Sequence, residues 1–330
     1  MKLTRLLLPL LLPLALLWSG AVGAAAPGVD PGVNPGVDPL LADIDAHDAV
    51  RFARLLQDGA LPDAAALQRG YLIGAGAGVR IFTPLRIVDA QRLAKAVAAR
   101  PEAYRYAIEH CLPRLPELRA DLRAIYLGFA GLLPERPLPA IEVVFGAGNS
   151  GGTADVGEQV IGLEVVCPPG TTFEQFRTGM RGFFAHETVH TWQDDETPQA
   201  LADPLLGQAL REGVPDYLAT LVTGAIPHLD RDAWARGREA WLWQAFERDR
   251  QGMLADPDSV RHPMDNKRFR RWFANCHGDS GEWPCEAGYW VGMRIAEAYV
   301  ARAKDKHAAI RELILLRDPR AILKASGYGG

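Results

Sequence analysis

Apolar residues recur at helical spacing through Phe173, Phe176, Met180, Phe183 and Phe184, which predicts a helix with a buried side. Thr172 and Gln175 stand at capping-box spacing at the head of that run, so a hydroxyl and an amide can satisfy its first backbone donors reciprocally. Asp194, Asp195, Glu196 and Pro198 close it with a polar segment and a helix breaker. Leu205, Leu206 and Leu210 open a second helix. Upstream, residues 49–56, 90–99, 104–111 and 118–133 also read as helices, whereas 79–82, 141–145 and 160–166 read as short extended runs. The last two flank a glycine-rich turn over 148–153 and predict a hairpin or neighbouring strands just before the buried helix. Trp234, Trp241, Trp243, Phe246, Trp272 and Phe273 belong to a core or a cleft wall. Amphipathic helices over 289–303 and 307–316 lead to a glycine-rich end expected to fray. No internal repeat or strong linker divides this part. The prediction is one α+β body over 41–330, mainly helical, with a helical N-terminal part and a small β-sheet packed beside the helix that starts after Thr172.

The first residues follow another pattern. Lys2 and Arg5 precede an apolar run over 6–17, and small residues follow to Ala26. That predicts a secretory signal peptide over 1–26, with a retained membrane anchor as the alternative; the run is short for a span of ~20 residues. Residues 27–40 repeat Pro-Gly-Val-Asp/Asn and read as a linker, since proline and glycine at that density build no core. The expectation is an exported protein, periplasmic or secreted, with no stable membrane insertion after cleavage. A formal net charge of −4 gives no electrostatic case for nucleic acid or an anionic membrane as partner. All 4 cysteines fall in the exported part, where disulfides form. Cys276 and Cys285 bracket a short loop and predict a bridge; the alternative is a second metal site built from Cys276, His277 and Cys285. Cys111 and Cys167 form a second candidate pair.

The candidate chemistry lies at the far end of the buried helix, in His186-Glu187-Thr188-Val189-His190. Histidines four residues apart share a helix face, so both imidazoles can reach one zinc ion. Glu187 projects roughly 100° around the axis from His186, close to a water on that metal without ligating it. Zinc lowers the pKa of such a water towards about 7, and a neighbouring carboxylate can take its proton. The plain alternative is a buried helix whose histidines simply hydrogen-bond to neighbours. A catalytic zinc site keeps three protein ligands and an open position. Glu212, on the second helix, is the candidate third ligand. Asp216 lies one turn later, placed to hold the outer nitrogen of a ligating histidine. Pro215 removes a backbone donor between them, so this helix is expected to kink or begin late. Tyr289 is the candidate donor to an oxyanion, with His277 behind it.

These residues resemble the gluzincin metallopeptidases, and more closely a bacterial family of zinc-dependent proteases that includes gliding-motility-associated lipoproteins. The likeness extends over most of 60–330: the Gly148-Asn149-Ser150-Gly151-Gly152-Thr153 turn, the histidine helix through Trp192-Gln193, Glu212-Gly213, Gly288-Tyr289-Trp290-Val291-Gly292 and Ser326-Gly327-Tyr328. The lipid-attachment cysteine of the lipoprotein relatives is missing. The resemblance implies a zincin-like fold, one Zn2+ held by His186, His190 and Glu212, and hydrolysis of a peptide or protein substrate with Glu187 as general base. A non-catalytic exported scaffold and a zinc hydrolase of non-peptide amides or esters are the alternatives. In zincin-like folds an edge strand beside the metal helix pairs with extended substrate, and residues 160–166 are the candidate, as an edge or as a fully paired interior strand.

Overall fold

The computed structural model describes residues 36–56, 59–194, 196–276 and 283–329. The expected signal peptide, most of the expected linker and His277 lie outside the described residues. Val37, inside the expected linker, is already tied to the body, its N–H donating to Leu138 O at 2.9 Å.

Four strands, β1 (Ile44–Asp45), β2 (Ala140–Val144), β3 (Gly152–Asp155) and β4 (Glu158–Gly162), form one sheet in the order β1-β2-β4-β3. The pairs β1/β2 and β2/β4 are parallel, and β3 turns back antiparallel on β4. The β2 and β4 runs therefore lie side by side as parallel neighbours, and the hairpin is made by β3. Ile141, Val143, Val144, Val160 and Ile161 are buried, as expected of strands covered by helices. Beyond β2, Phe145 stacks on Phe52 with ring centroids 4.6 Å apart, and Tyr71 both donates to Phe145 O and accepts from its N–H.

Around the sheet stand helices α1 (Ala77–Phe82), α2 (Arg119–Leu132), α3 (Phe173–His190), α4 (Pro204–Thr223), α5 (Leu229–Arg236), α6 (Ala287–Arg302) and α7 (Pro319–Ser326), with further helices among them. The mainly helical α+β class agrees with the sequence pattern, and so do the bounds of α2 and α6. Two expectations fail. Residues 79–82 are helical, not extended: a run of four residues is too short to carry a usable period, and α1 lies on the sheet with Gly78 against the Glu142 side chain. The run over 160–166 is strand only to Gly162, then a helical turn, Leu163–Val166. There Glu164 turns inward to accept the N–H groups of Gly146 and Gly148. Strand β4 is also interior, so of the two alternatives for it the fully paired strand holds and the edge role does not; β1 and β3 are the edges.

The expected frayed end is instead fastened. Tyr328 donates its hydroxyl to Glu239 at 3.0 Å and packs edge-on against Trp243. Both expected disulfides are formed, Cys111–Cys167 and Cys276–Cys285, which removes the alternative of a second metal site on the latter pair. Among the described residues no helix is long and apolar enough to cross a membrane.

Candidate metal centre

The capping box predicted for α3 is complete: Gln175 N–H donates to Thr172 Oγ1, and Thr172 N–H donates to Gln175 Oε1 at 2.9 Å. Phe176, Met180 and Phe184 then bury one side of the helix, so its last two turns are held against the sheet. Gln159, fully buried on β4, fixes the axial rotation. Its Nε2 donates to Thr188 Oγ1 at 2.8 Å and to Phe184 O at 3.3 Å, and Thr188 stands between Glu187 and His190. That leaves His186 and His190 facing α4.

Helix α4 runs from Pro204 to Thr223 with Pro215 inside it, so it neither starts late nor breaks in two at Pro215. It crosses α6 at glycines. A Cβ on Gly213 would fall 2.2 Å from Met293 N, and one on Gly292 would fall 1.7 Å from Ala209 O. Only hydrogen fits at either position. This close approach gives the Glu212-Gly213 and Gly288–Gly292 segments a common physical reason: it lays Tyr289, one turn ahead of Gly292, beside Glu212 and His186.

The result is a convergence of donor atoms. His186 Nε2 and His190 Nε2 are 3.0 Å apart, and Glu212 Oε2 lies 3.5 Å from the first and 3.3 Å from the second. Four ligands at ~2.05 Å in a tetrahedron have donor–donor edges of ~3.3 Å, so this triangle has the size of one face of a zinc site. The outer nitrogens are engaged elsewhere: His186 Nδ1 with Asp216 Oδ1 at 2.9 Å, His190 Nδ1 with Gln193 Oε1 at 2.7 Å. Hence the Nε2 atoms are the free pair. Two further donors approach Glu212, the Gln208 amide at 2.9 Å and the Tyr289 phenol beside it.

Asp216 is shared. Its second oxygen accepts from Arg231 Nη2, and Arg231, 4% exposed, also donates from Nη1 to Glu286 O at 3.3 Å. Burial works against the Asp216 carboxylate, yet Arg231 and His186 hold its pKa below the ordinary value. The base candidate Glu187 behaves oppositely: burial, only partly offset by His190 and His186, pushes it up. Its carboxylate lies against Gly152 on β3, where a Cβ would be 2.5 Å from Glu187 Oε1. The ring of Tyr289 stacks on His186 with centroids 6.0 Å apart, and burial first, then Glu212, raises its phenol well above normal.

His186, Glu187, His190, Glu212, Asp216 and Tyr289 are thus all brought together, whereas His277 lies outside the described residues. Sequence reasoning missed Arg231 and gave Gly152 and Gln193 no role at the site. Gln193 had a local signal, an amide three residues past His190, whereas Arg231 joins the site only through folding. No family model, curated protein or solved structure matches the chain.

Proposed function

We propose that this chain is an exported zinc-dependent metallopeptidase of gluzincin type, with His186, His190 and Glu212 as the ligands of one Zn2+. The observation that carries the reading is the Nε2–Nε2–Oε2 triangle with edges of 3.0, 3.3 and 3.5 Å, its outer nitrogens already occupied. A zinc ion held there supplies a Lewis acid and makes water acidic enough to serve as a nucleophile near neutral pH. Glu187 accepts that proton, helped by burial that brings its basicity closer to neutrality, and returns it to the departing amine. Tyr289, protonated throughout, donates to the oxygen on which negative charge develops.

The edge of β3 favours a peptide over a smaller amide or ester. Among the described residues β3 pairs with β4 alone; Ser150 Oγ donates to the Gly152 carbonyl at 2.6 Å, and an extended chain would pair along the rest of that outer edge, which Gly152 brings into contact with Glu187. The scaffold alternative requires a closed site, normally with four protein ligands. Only three such groups converge here among the described residues. Two disulfides fit an oxidising compartment, which supports export.

Metal analysis of the purified protein, beside His190→Ala and Glu187→Gln, tests the reading. Stoichiometric zinc in the wild type, its loss in His190→Ala, and zinc retained without turnover in Glu187→Gln are expected. A mixed peptide library, run beside simple amides and esters, is cleaved only by the wild type. Equal metal content in wild type and His190→Ala would refute the site. Zinc binding with no turnover of any substrate would leave the scaffold, and turnover of the amides or esters alone would replace the peptide.

A further inference from the structure

We infer that Gln193 is a positioning residue that fixes the tautomer of His190, and that Pro215 is what aims its amide. A neutral imidazole presents a lone pair at only one nitrogen. For His190 Nε2 to face His186 and Glu212 as a ligand, the proton must sit on Nδ1, and something must accept it. Gln193 Oε1, 2.7 Å away, is that acceptor. An amide side chain has two unlike ends, however, and turned over it would present its NH2 to Nδ1 and favour the opposite tautomer. The other end decides the orientation. Gln193 Nε2 lies 2.9 Å from the carbonyl oxygen of Arg211 and donates to it.

That carbonyl has lost its ordinary partner. In α4 the carbonyl of Arg211 should receive the N–H of the residue four positions on, which is Pro215 and has none. A proline within a helix is ordinarily a defect. Here it leaves an oxygen unclaimed one residue ahead of Glu212, and the Gln193 amide occupies it. Helix α4 thereby supports both histidines: Asp216 touches His186 directly, and Arg211 reaches His190 through Gln193. The inference rests on the ligand assignment above for its use, although the hydrogen-bond chain exists without metal.

Two measurements on the full chain test it. In metal-free protein labelled with 15N-histidine, at a pH where the rings are neutral, His190 should carry its proton on Nδ1 in the wild type and in Gln193→Glu, which keeps an acceptor. In Gln193→Leu it should become a mixture of tautomers. Zinc affinity, from competition with a chromophoric chelator, should fall about 10–100-fold in Gln193→Leu, the usual cost of removing a partner of a ligand. Pro215→Ala returns a donor to the Arg211 carbonyl; it should weaken zinc less, and the effect of Gln193→Leu should be smaller in that background. An unchanged His190 tautomer and zinc affinity within twofold of wild type in Gln193→Leu would overturn the role of Gln193. Strict additivity of Gln193→Leu and Pro215→Ala would overturn the role of Pro215. A wild type that takes up no zinc defeats the metallopeptidase reading instead, and the tautomer measurement still decides the hydrogen-bond chain.

Discussion

Replacing Gly292 by alanine adds one carbon and two hydrogens where, among the described glycines, a Cβ would come closest to neighbouring backbone. The new Cβ would sit 1.7 Å from Ala209 O and 2.4 Å from its carbonyl carbon. An ordinary carbon–oxygen approach is about 3.3 Å, so α6 and α4 must part locally by about 1.6 Å. Neither side has a flexible group that can yield, because the new Cβ is fixed directly to one helix backbone and its obstacle belongs to another. A gap of 0.5–1 Å already forfeits roughly a quarter to a half of each dispersion contact, and overpacking of this kind costs about 1–3 kcal/mol or more. The upper end is expected here, about 3 kcal/mol, equivalent to a fall in Tm of roughly 6–12 °C for a chain of this size. Thermal unfolding followed by circular dichroism reads it directly. Gly213→Ala meets the same crossing from the other helix, 2.2 Å from Met293 N, so the double variant should cost clearly less than the sum. Parting the helices also draws Tyr289 away from Glu212, so turnover should fall even in protein that remains folded. A Tm within 1–2 °C of wild type, on the order of 0.5 kcal/mol, would refute the crossing as described.

Gly152→Ala presses on the mobile end of Glu187 rather than on backbone, so thermal stability and metal content should hardly change while peptide turnover falls at least tenfold; undiminished kcat would separate Glu187 from β3. Glu164 is a fully buried acid whose pKa burial raises to about 7, against the opposing pull of the Gly146 and Gly148 N–H groups. The folded state therefore holds this proton more tightly than the unfolded chain, and stability is lost as pH rises from about 4.5 to about 7, by about 3 kcal/mol. Glu164→Gln should flatten that part of the stability–pH curve, and an unchanged slope in urea titrations would exclude Glu164 as its source. Removing the Cys111–Cys167 bridge with a double serine variant should cost about 4 kcal/mol, given a sequence separation of 56, and a shift in urea midpoint equivalent to under 1 kcal/mol would contradict it.

The candidate site was legible because its spacing is local. His186, Glu187 and His190 share one helix, a complete capping box announces that helix, and Glu212 and Asp216 fall one turn apart on the next. The sheet was harder. Residues 152–155, Gly-Thr-Ala-Asp, have little strand propensity, and they form one edge; the β-branched run after them is an interior strand. Strand order depends on which neighbours arrive, which alternation alone does not encode. Arg231 was invisible for a similar reason: its partners, Asp216 and Glu286, come from α4 and the residue before α6. Pro215 looked like a defect because the group that takes up the freed carbonyl belongs to a different helix.

The weak strand character of β3 also bears on how the molecule avoids itself. A sheet edge is indifferent to the identity of the chain that joins it, so an edge able to receive the proposed substrate is equally a template for a second copy. Four residues allow only a few backbone hydrogen bonds, and none of Gly152, Thr153, Ala154 and Asp155 offers a large apolar side chain to strengthen the union. A second copy gains too little from pairing there to stay. Under the proposed function a peptide would be held at the metal centre as well, and would leave once cut. Low intrinsic stickiness at this edge thus disfavours self-association and, under the proposed function, product retention by the same means.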